Sequence, residues 1–229
     1  MSQILEELKA AETGTPQEEA QEETASYVFD TEKIKEAELA EPTARNRALI
    51  PYTEYKIKVT PVDKETFNPY DKKCSTIIKR ILKDEQPATE TYLCKRLAKA
   101  LGFGHAGANI QRAVSFAISE LYQDPMSAGG ILSFWIDEES AKDYHSYRAP
   151  SPRSITEIPA VEIANAIKEV VEEEFSLPKD NIATLAARKL GFSSAGTKIT
   201  EMINIVIDML AEKSVVTINN GAVSLNENG

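Results

Sequence analysis

Residues 97–103 read LAKALGF and residues 186–192 read AARKLGF, and this pair of stretches decides the fold because it marks an internal repeat. A shift of 89 residues superposes the two stretches and also pairs Ala106-Gly107 with Ala195-Gly196. Twelve identities fall within the 45 positions from 77 to 121, where random pairing would produce about three. The chain therefore contains two copies of one small unit.

Each copy shows the apolar spacing of three helices. In the third helix of the first copy, Ile110, Val114 and Ala117 form one stripe, which is the pattern of a core-facing surface. The predicted helices cover residues 75–83, 91–101 and a stretch after Gly107 in the first copy, and 160–174, 180–190 and a stretch after Gly196 in the second.

Glycines and turn residues set the ends of these elements. Gly102 and Gly191 follow the second helix of their copies, where a left-handed residue is favoured. In the second copy, residues 219–221 read NNG between two short apolar runs, which predicts a β-hairpin. Gly129-Gly130 precede the corresponding strand of the first copy. Three helices followed by a hairpin are typical of the winged-helix variant of the helix-turn-helix.

The predicted fold class is mainly α with small β-hairpins (α+β), built from two tandem winged-helix-like domains. Alternation of apolar and charged residues over 55–59 also predicts a leading strand before the first helix. The predicted organisation is a disordered acidic tail or linker over 1–45, a first domain over 46–136, a linker over 137–156 and a second domain over 157–229.

Composition excludes several classes of function. No apolar run approaches the roughly 18 residues that cross a bilayer, and the chain opens without a signal peptide pattern, so we expect a cytoplasmic protein without membrane contact. Cys74, Cys94, His105 and His145 do not form a metal-ligand pattern. Phosphate-binding, dinucleotide-binding and nucleophile-elbow motifs are also missing. We therefore expect no catalytic residue, no metal and no cofactor.

The formal charge of −10 is distributed unevenly. Residues 1–45 carry 4 basic and 12 acidic side chains, residues 46–135 carry 13 and 9, and residues 136–229 carry 9 and 15. Because clustered cations attract a polyanion, the first copy is the candidate for nucleic-acid contact.

A winged helix lays its third helix in the major groove while flanking cations contact phosphates. The alternative is that these side chains only form solvated helix faces, as most Lys and Arg residues do. The candidate nucleic-acid-binding residues of the first copy are Lys79, Arg80 and Lys83 on the first helix, Lys95, Arg96 and Lys99 on the outside of the second helix, His105 in the turn, and Asn109, Gln111, Arg112 and Ser115 on the third helix.

The second copy differs at these positions. Glu201 replaces Arg112, and Thr184 and Leu185 replace Lys95 and Arg96. We therefore expect the second copy to be structural or protein-binding.

Three other side chains have simple interpretations. Cys94 is predicted to be a buried small hydrophobe and Cys74 a reduced thiol near a helix start. Trp135 could stack on a base, but packing between the wing and the helices, or between the copies, is the favoured interpretation.

The stretches 158–167, 187–192 and the closing hairpin resemble the small domain of unknown function at the C-terminus of large bacterial superfamily 1 helicases. Residues 77–83, residues 97–103 and Phe134-Trp135 look like the region that precedes this domain in the same proteins. The resemblance covers about residues 50–229 and implies no established activity for the module. Because the helicase motor and nuclease motifs are missing, the chain is either a free-standing relative or the C-terminal piece of a longer protein.

The resulting hypothesis is a non-catalytic accessory module whose first copy contacts DNA or RNA for a helicase or nuclease domain in cis or in trans. The alternative is a protein-docking module without nucleic-acid contact, in which the acidic tail keeps the chain off DNA. A homo-oligomer is compatible with both hypotheses.

Overall fold

The computed structural model describes residues 49–226, and the predicted tail over 1–45 lies outside them. The described chain is a mixed α+β structure with six α-helices and small β-sheets. Both repeats belong to one compact unit. No helix within the described residues is long and apolar enough to cross a membrane.

The six helices fall into two sets of three that follow the internal repeat. The first and second helices of the two repeats end 89 residues apart, as the sequence offset predicts. The helices are α1 (Lys72–Glu85), α2 (Glu90–Ala100) and α3 (Ala108–Ile118) in the first repeat, and α4 (Ala160–Glu174), α5 (Lys179–Lys189) and α6 (Thr197–Glu212) in the second.

Each repeat also contains one small antiparallel sheet with the same strand order. In both sheets, the strand between the first and second helices pairs with the last strand, which lies in the middle of the sheet. The strands are β1 (Leu49–Ile50), β2 (Ala88–Thr89), β3 (Tyr122–Gln123), β4 (Ser133–Trp135), β5 (Tyr147–Arg148), β6 (Ser176–Pro178), β7 (Val216–Asn219) and β8 (Ala222–Leu225), with sheet orders β2-β4-β3 and β6-β8-β7.

The turn and cap predictions are confirmed. Asn220 and Gly221 have φ values of 50° and 80°, as a tight hairpin turn between β7 and β8 requires. Gly102 and Gly191 have φ values of 76° and 94° at the ends of α2 and α5. At Gly191 a Cβ atom would lie 3.1 Å from the Pro150 Cα, so both conformation and space favour glycine.

The leading strand predicted over 55–59 is wrong. Tyr55 and Ile57 turn towards the first core while the intervening lysine is exposed, but no strand forms there. The backbone follows the end of α2 instead, since the Thr60 and Val62 amides donate to the Ala100 and Leu101 carbonyls at 2.8 and 3.1 Å. Alternating burial therefore arises from packing on a helix rather than from β pairing.

Each repeat has its own apolar core, which is formed mainly by the three helices of that repeat. The predicted stripes of α3 and α6 face these cores: Ile110, Val114 and Ala117 are buried in the first repeat. Ile203 and Ile207 are buried in the second. The first core does not extend into the second repeat, but Ala128 of the first repeat is buried in the second core.

The segment predicted as a linker over 137–156 is an ordered part of the unit. It contains β5, which pairs in parallel with β1, and a 3-10 helix at Glu139–Ala141. Arg148 and Arg153 are buried and both donate to Glu162 of α4, which is also buried. This segment therefore packs between the repeats instead of spanning a gap.

Candidate nucleic-acid interface

The third helix of the first repeat, α3, begins after Gly107, which has no side chain with which to cap the helix. Its buried face holds the helix on the first core, so the opposite face is exposed. Arg112 Nη1 donates to Asn109 Oδ1 at 3.0 Å, and Ser115 Oγ donates to Glu90 Oε1 at 3.1 Å. The exposed face holds Asn109, Gln111, Arg112 and Ser115, as predicted.

A groove of about 930 Å³ lies between α2, the turn after it and α3. Its floor is partly apolar, with Cys94, Ala98 and Phe103. Five of the predicted binding residues line it: Lys95, Lys99, His105, Gln111 and Ser115. The structure therefore brings together side chains from α2, from the turn after it and from α3. The sequence spacing alone did not predict that these side chains share one groove.

Acidic side chains also lie in or beside this groove, and sequence reasoning missed their role. Glu157, which belongs to a 3-10 helix before α4, accepts from Lys95 Nζ at 2.9 Å. Glu54 lies 3.5 Å from Lys99 Nζ, and Glu90 lines the groove itself. Glu157 and Lys95 are 62 residues apart, so no local pattern connects them. The positive field of the groove is consequently partly neutralised.

The prediction that Arg96 lies on the outside of α2 is wrong. Its side chain is only 2% exposed, because the chain before α1 covers this side of the helix. The guanidinium donates to Glu85 Oε1 at 2.8 Å and also contacts Glu54 and the Tyr55 carbonyl. Burial lowers the pKa of Arg96. Arg96 therefore stabilises the first repeat and cannot reach a ligand.

The three candidate cations of α1 lie away from the groove. Lys79 Nζ is 3.1 Å from Glu120 Oε2, in an exposed pair. Such a pair adds little stability in water, so Lys79 could exchange this partner for a phosphate. Arg80 and Lys83 are exposed on the same helix, and none of the three lines the groove beside α2 and α3.

The equivalent face of the second repeat is partly covered. Gly129, in the loop between β3 and β4, packs on α6: a Cβ there would be 3.3 Å from the Met202 Cε and 3.7 Å from the Cδ1 of Ile205, which is the counterpart of the exposed Phe116 of α3. Glu201, which precedes Met202 on α6, is exposed. The third helix of the second repeat is therefore both acidic and in contact with the first repeat.

The side chains of Trp135, Cys74 and Cys94 are buried in the folded chain. Trp135 is buried, its Nε1 donates to Asp124 Oδ2 at 2.7 Å, and its ring meets Tyr144 edge-on at 4.9 Å. The favoured packing interpretation is confirmed, since no ring face is open for a base. Cys94 is buried, as predicted, and burial raises the pKa of its thiol to about 11. Cys74 is also buried and lies near the start of α1. Within the described residues, no group of three or more His, Cys, Asp or Glu side chains could hold a metal ion.

In comparisons with known proteins, no family model, no curated protein and no solved structure matches the chain. The resemblance to the helicase-associated domain therefore stays a prediction.

Proposed function

We propose that the chain is a tandem winged-helix protein and a non-catalytic nucleic-acid-binding module, whose first repeat contacts the ligand and whose second repeat is structural. The element order supports the fold part of the proposal: each repeat runs helix, strand, helix, helix, strand, strand. In each sheet the first strand pairs with the last, as the wing of a winged helix would require.

The difference between α3 and α6 is the observation that carries the proposal. The face of α3 presents an amide, a guanidinium and a hydroxyl group, which are groups that contact bases and phosphates. Arg112 is exposed there, whereas Glu201 occupies the equivalent position of α6 and the loop at Gly129 covers part of that helix. Only the first repeat therefore presents an open third helix without an acidic residue at its centre.

The ion pairs of the groove limit the strength of binding. Lys95 and Lys99 have acidic neighbours, so few unpaired cations would release counterions from phosphates. We expect an affinity in the micromolar range or weaker at physiological salt, with a shallow dependence on salt concentration.

An anisotropy titration with labelled oligonucleotides at about 50 mM and about 200 mM salt tests the proposal. Arg112→Glu should weaken binding at least several-fold at low salt, because it places a carboxylate on the proposed contact face. Lys198→Glu is the matched control: it makes the same change of charge on the third helix of the second repeat and should leave binding unchanged. Equal effects of the two substitutions, or no binding at low salt, would contradict the proposal.

The pairing of Lys79, Lys95 and Lys99 with acidic residues favours a second candidate function, a protein-docking module without nucleic-acid contact. A helicase or nuclease domain, in cis or in trans, would be its partner according to the resemblance. Light scattering at high concentration and co-purification distinguish the two: a monomer that purifies alone and binds oligonucleotides would exclude docking as the main function.

A further inference from the structure

Two pairs of aromatic side chains lie along α3, one near its beginning and one near its end. Tyr70 and Phe116 meet edge-to-face, with ring centroids 5.5 Å apart and an angle of 90° between the rings. Tyr70 is 60% exposed and Phe116 is 44% exposed. Phe67 and Phe103 form a second edge-to-face pair at 5.3 Å and are half-buried. Large, partly exposed apolar side chains grouped along one helix mark an interaction surface.

The backbone before α1 holds Tyr70 in place over Phe116. The Tyr70 amide donates to Asn68 Oδ1 at 3.0 Å, and Asp71 caps α1 by accepting from the Lys73 amide at 2.9 Å. Tyr70 is therefore anchored between a side-chain turn and a capped helix. The Tyr70 ring can therefore contact a ligand with little further loss of conformational entropy.

The described side chains that line the grooves beside the two aromatic pairs include polar and basic groups and none that is acidic. One groove of about 480 Å³ is lined by Tyr70, Ala108, Gln111, Arg112, Ser115 and Phe116. The adjoining groove of about 270 Å³ shares Ala108 and includes Lys64, Phe67, His105 and Asn109. The larger groove beside α2, in contrast, contains Glu90 and Glu157. A polyanion is therefore favoured on the aromatic side of α3 over the groove beside α2, although Ser115, which lines both, donates to Glu90.

We propose that this aromatic face binds unpaired nucleotides of a single strand, with bases stacked on Tyr70 and Phe116 and phosphates near Arg112 and Lys64. The inference rests on the proposed nucleic-acid binding and specifies its ligand. An edge-to-face pair leaves ring faces open, and a base can occupy such a face only after it leaves the stack of a duplex. Stacking on aromatic side chains tolerates any base, so binding should depend little on sequence.

The test uses the full chain and three labelled ligands of about 12 units: oligo-dT, oligo-U and a blunt duplex. We expect both single strands to bind more tightly than the duplex, and the better of the two identifies DNA or RNA. Tyr70→Ala and Phe116→Ala should each weaken single-strand binding about 5-fold or more, while Tyr70→Phe retains it because the ring remains. Thermal melts establish that each variant is folded.

Phe175→Ala is the matched control, because Phe175 is 83% exposed in the second repeat and lines none of these grooves. Its removal should leave single-strand binding unchanged. Preferred binding of the duplex, with folded Tyr70→Ala and Phe116→Ala variants that bind normally, would overturn the aromatic-face inference and leave the proposed function standing. Failure of all three ligands to bind at low salt would overturn both.

Discussion

Arg148, in the segment between the two repeats, donates a 2.7 Å hydrogen bond from Nη1 to the backbone carbonyl of Glu85 at the end of α1. Its Nη2 donates to the Pro87 carbonyl at 2.6 Å, and its Nε donates to Glu162 Oε1 of the second repeat at 3.1 Å. One buried guanidinium therefore links the turn after the first helix of one repeat to the first helix of the other.

Replacement of Arg148 should destabilise the whole unit. Arg148→Met leaves two carbonyls without a donor and the buried Glu162 with a single guanidinium partner, Arg153, so we expect a loss of about 3–5 kcal/mol in the free energy of unfolding. Urea unfolding followed by circular dichroism measures it. Lys142→Met, in the same segment but in an exposed pair with Glu139, should cost less than about 1 kcal/mol. A similar cost for both variants would contradict the proposed link.

The stability of the unit should fall in acid because of Glu162. Burial would raise the pKa of this carboxyl, but the Arg148 and Arg153 guanidinium groups lower it from 4.5 to about 2. A carboxyl whose pKa is lower in the folded state stabilises the protein above its unfolded pKa. This contribution, on the order of 3 kcal/mol, is lost as the pH falls from about 4.5 towards about 2.

Urea unfolding of the wild type and of Glu162→Gln between about pH 5 and about pH 3 measures this contribution. The variant lacks the titrating group, so its free energy of unfolding should fall less steeply with acid than that of the wild type. Parallel pH profiles for the two proteins would show that Glu162 is not responsible.

Gly191 should tolerate no side chain. Its φ of 94° disfavours other residues, and a Cβ would meet the Pro150 backbone at 3.1 Å. We expect Gly191→Ala to cost about 2 kcal/mol or more, measured as a lower melting temperature. Gly104→Ala is the comparison, because a Cβ at Gly104 has nothing within 4 Å. A melting temperature for Gly191→Ala as high as that of Gly104→Ala would contradict this account.

Removal of an acidic charge beside α3 should strengthen nucleic-acid binding. Glu90 lines the groove beside α2 and accepts from Ser115, so Glu90→Gln removes a repulsive charge close to the proposed contact face. We expect affinity for single-stranded oligonucleotides to rise about two- to fivefold at low salt and less at high salt. Glu201→Gln, on α6, removes the same charge from the second repeat and should change nothing. Unchanged affinity in the Glu90→Gln variant would argue against a ligand on the exposed face of α3.

The helices, their glycine caps and the second hairpin were predictable because each depends on local chemistry. Gly102 and Gly191 adopt the left-handed conformation that the ends of helices favour, and α4 occupies the predicted residues 160–174. The strand predicted over 55–59 was wrong because alternation of apolar residues specifies which side of the segment is buried. It does not specify whether a strand or a helix covers that side.

The candidate site was only partly predictable for the same reason. Helical spacing placed Gln111 and Ser115 on an exposed face correctly, since the stripe of Ile110 and Val114 defines the opposite face. The same reasoning wrongly placed Arg96 on the outside of α2. Nothing nearby in the sequence shows that the segment from residue 52 onward folds back over this helix. Tyr70 and Phe116 lie 46 positions apart, and their pairing follows from the packing of α1 on α3.

The amino-acid sequence alone therefore specifies the two repeats, the three helices of each repeat and the difference in charge between the repeats. It can do so because apolar spacing, glycine conformations and composition act over a few residues. The burial of Arg96, the pairing of Lys95 with Glu157 and the position of Arg148 between the repeats follow from contacts across 42 to 63 residues. Such contacts form only when segments distant in the sequence meet in the folded chain. They give the basic segment one partly neutralised groove and one aromatic face whose described lining side chains include no acidic residue.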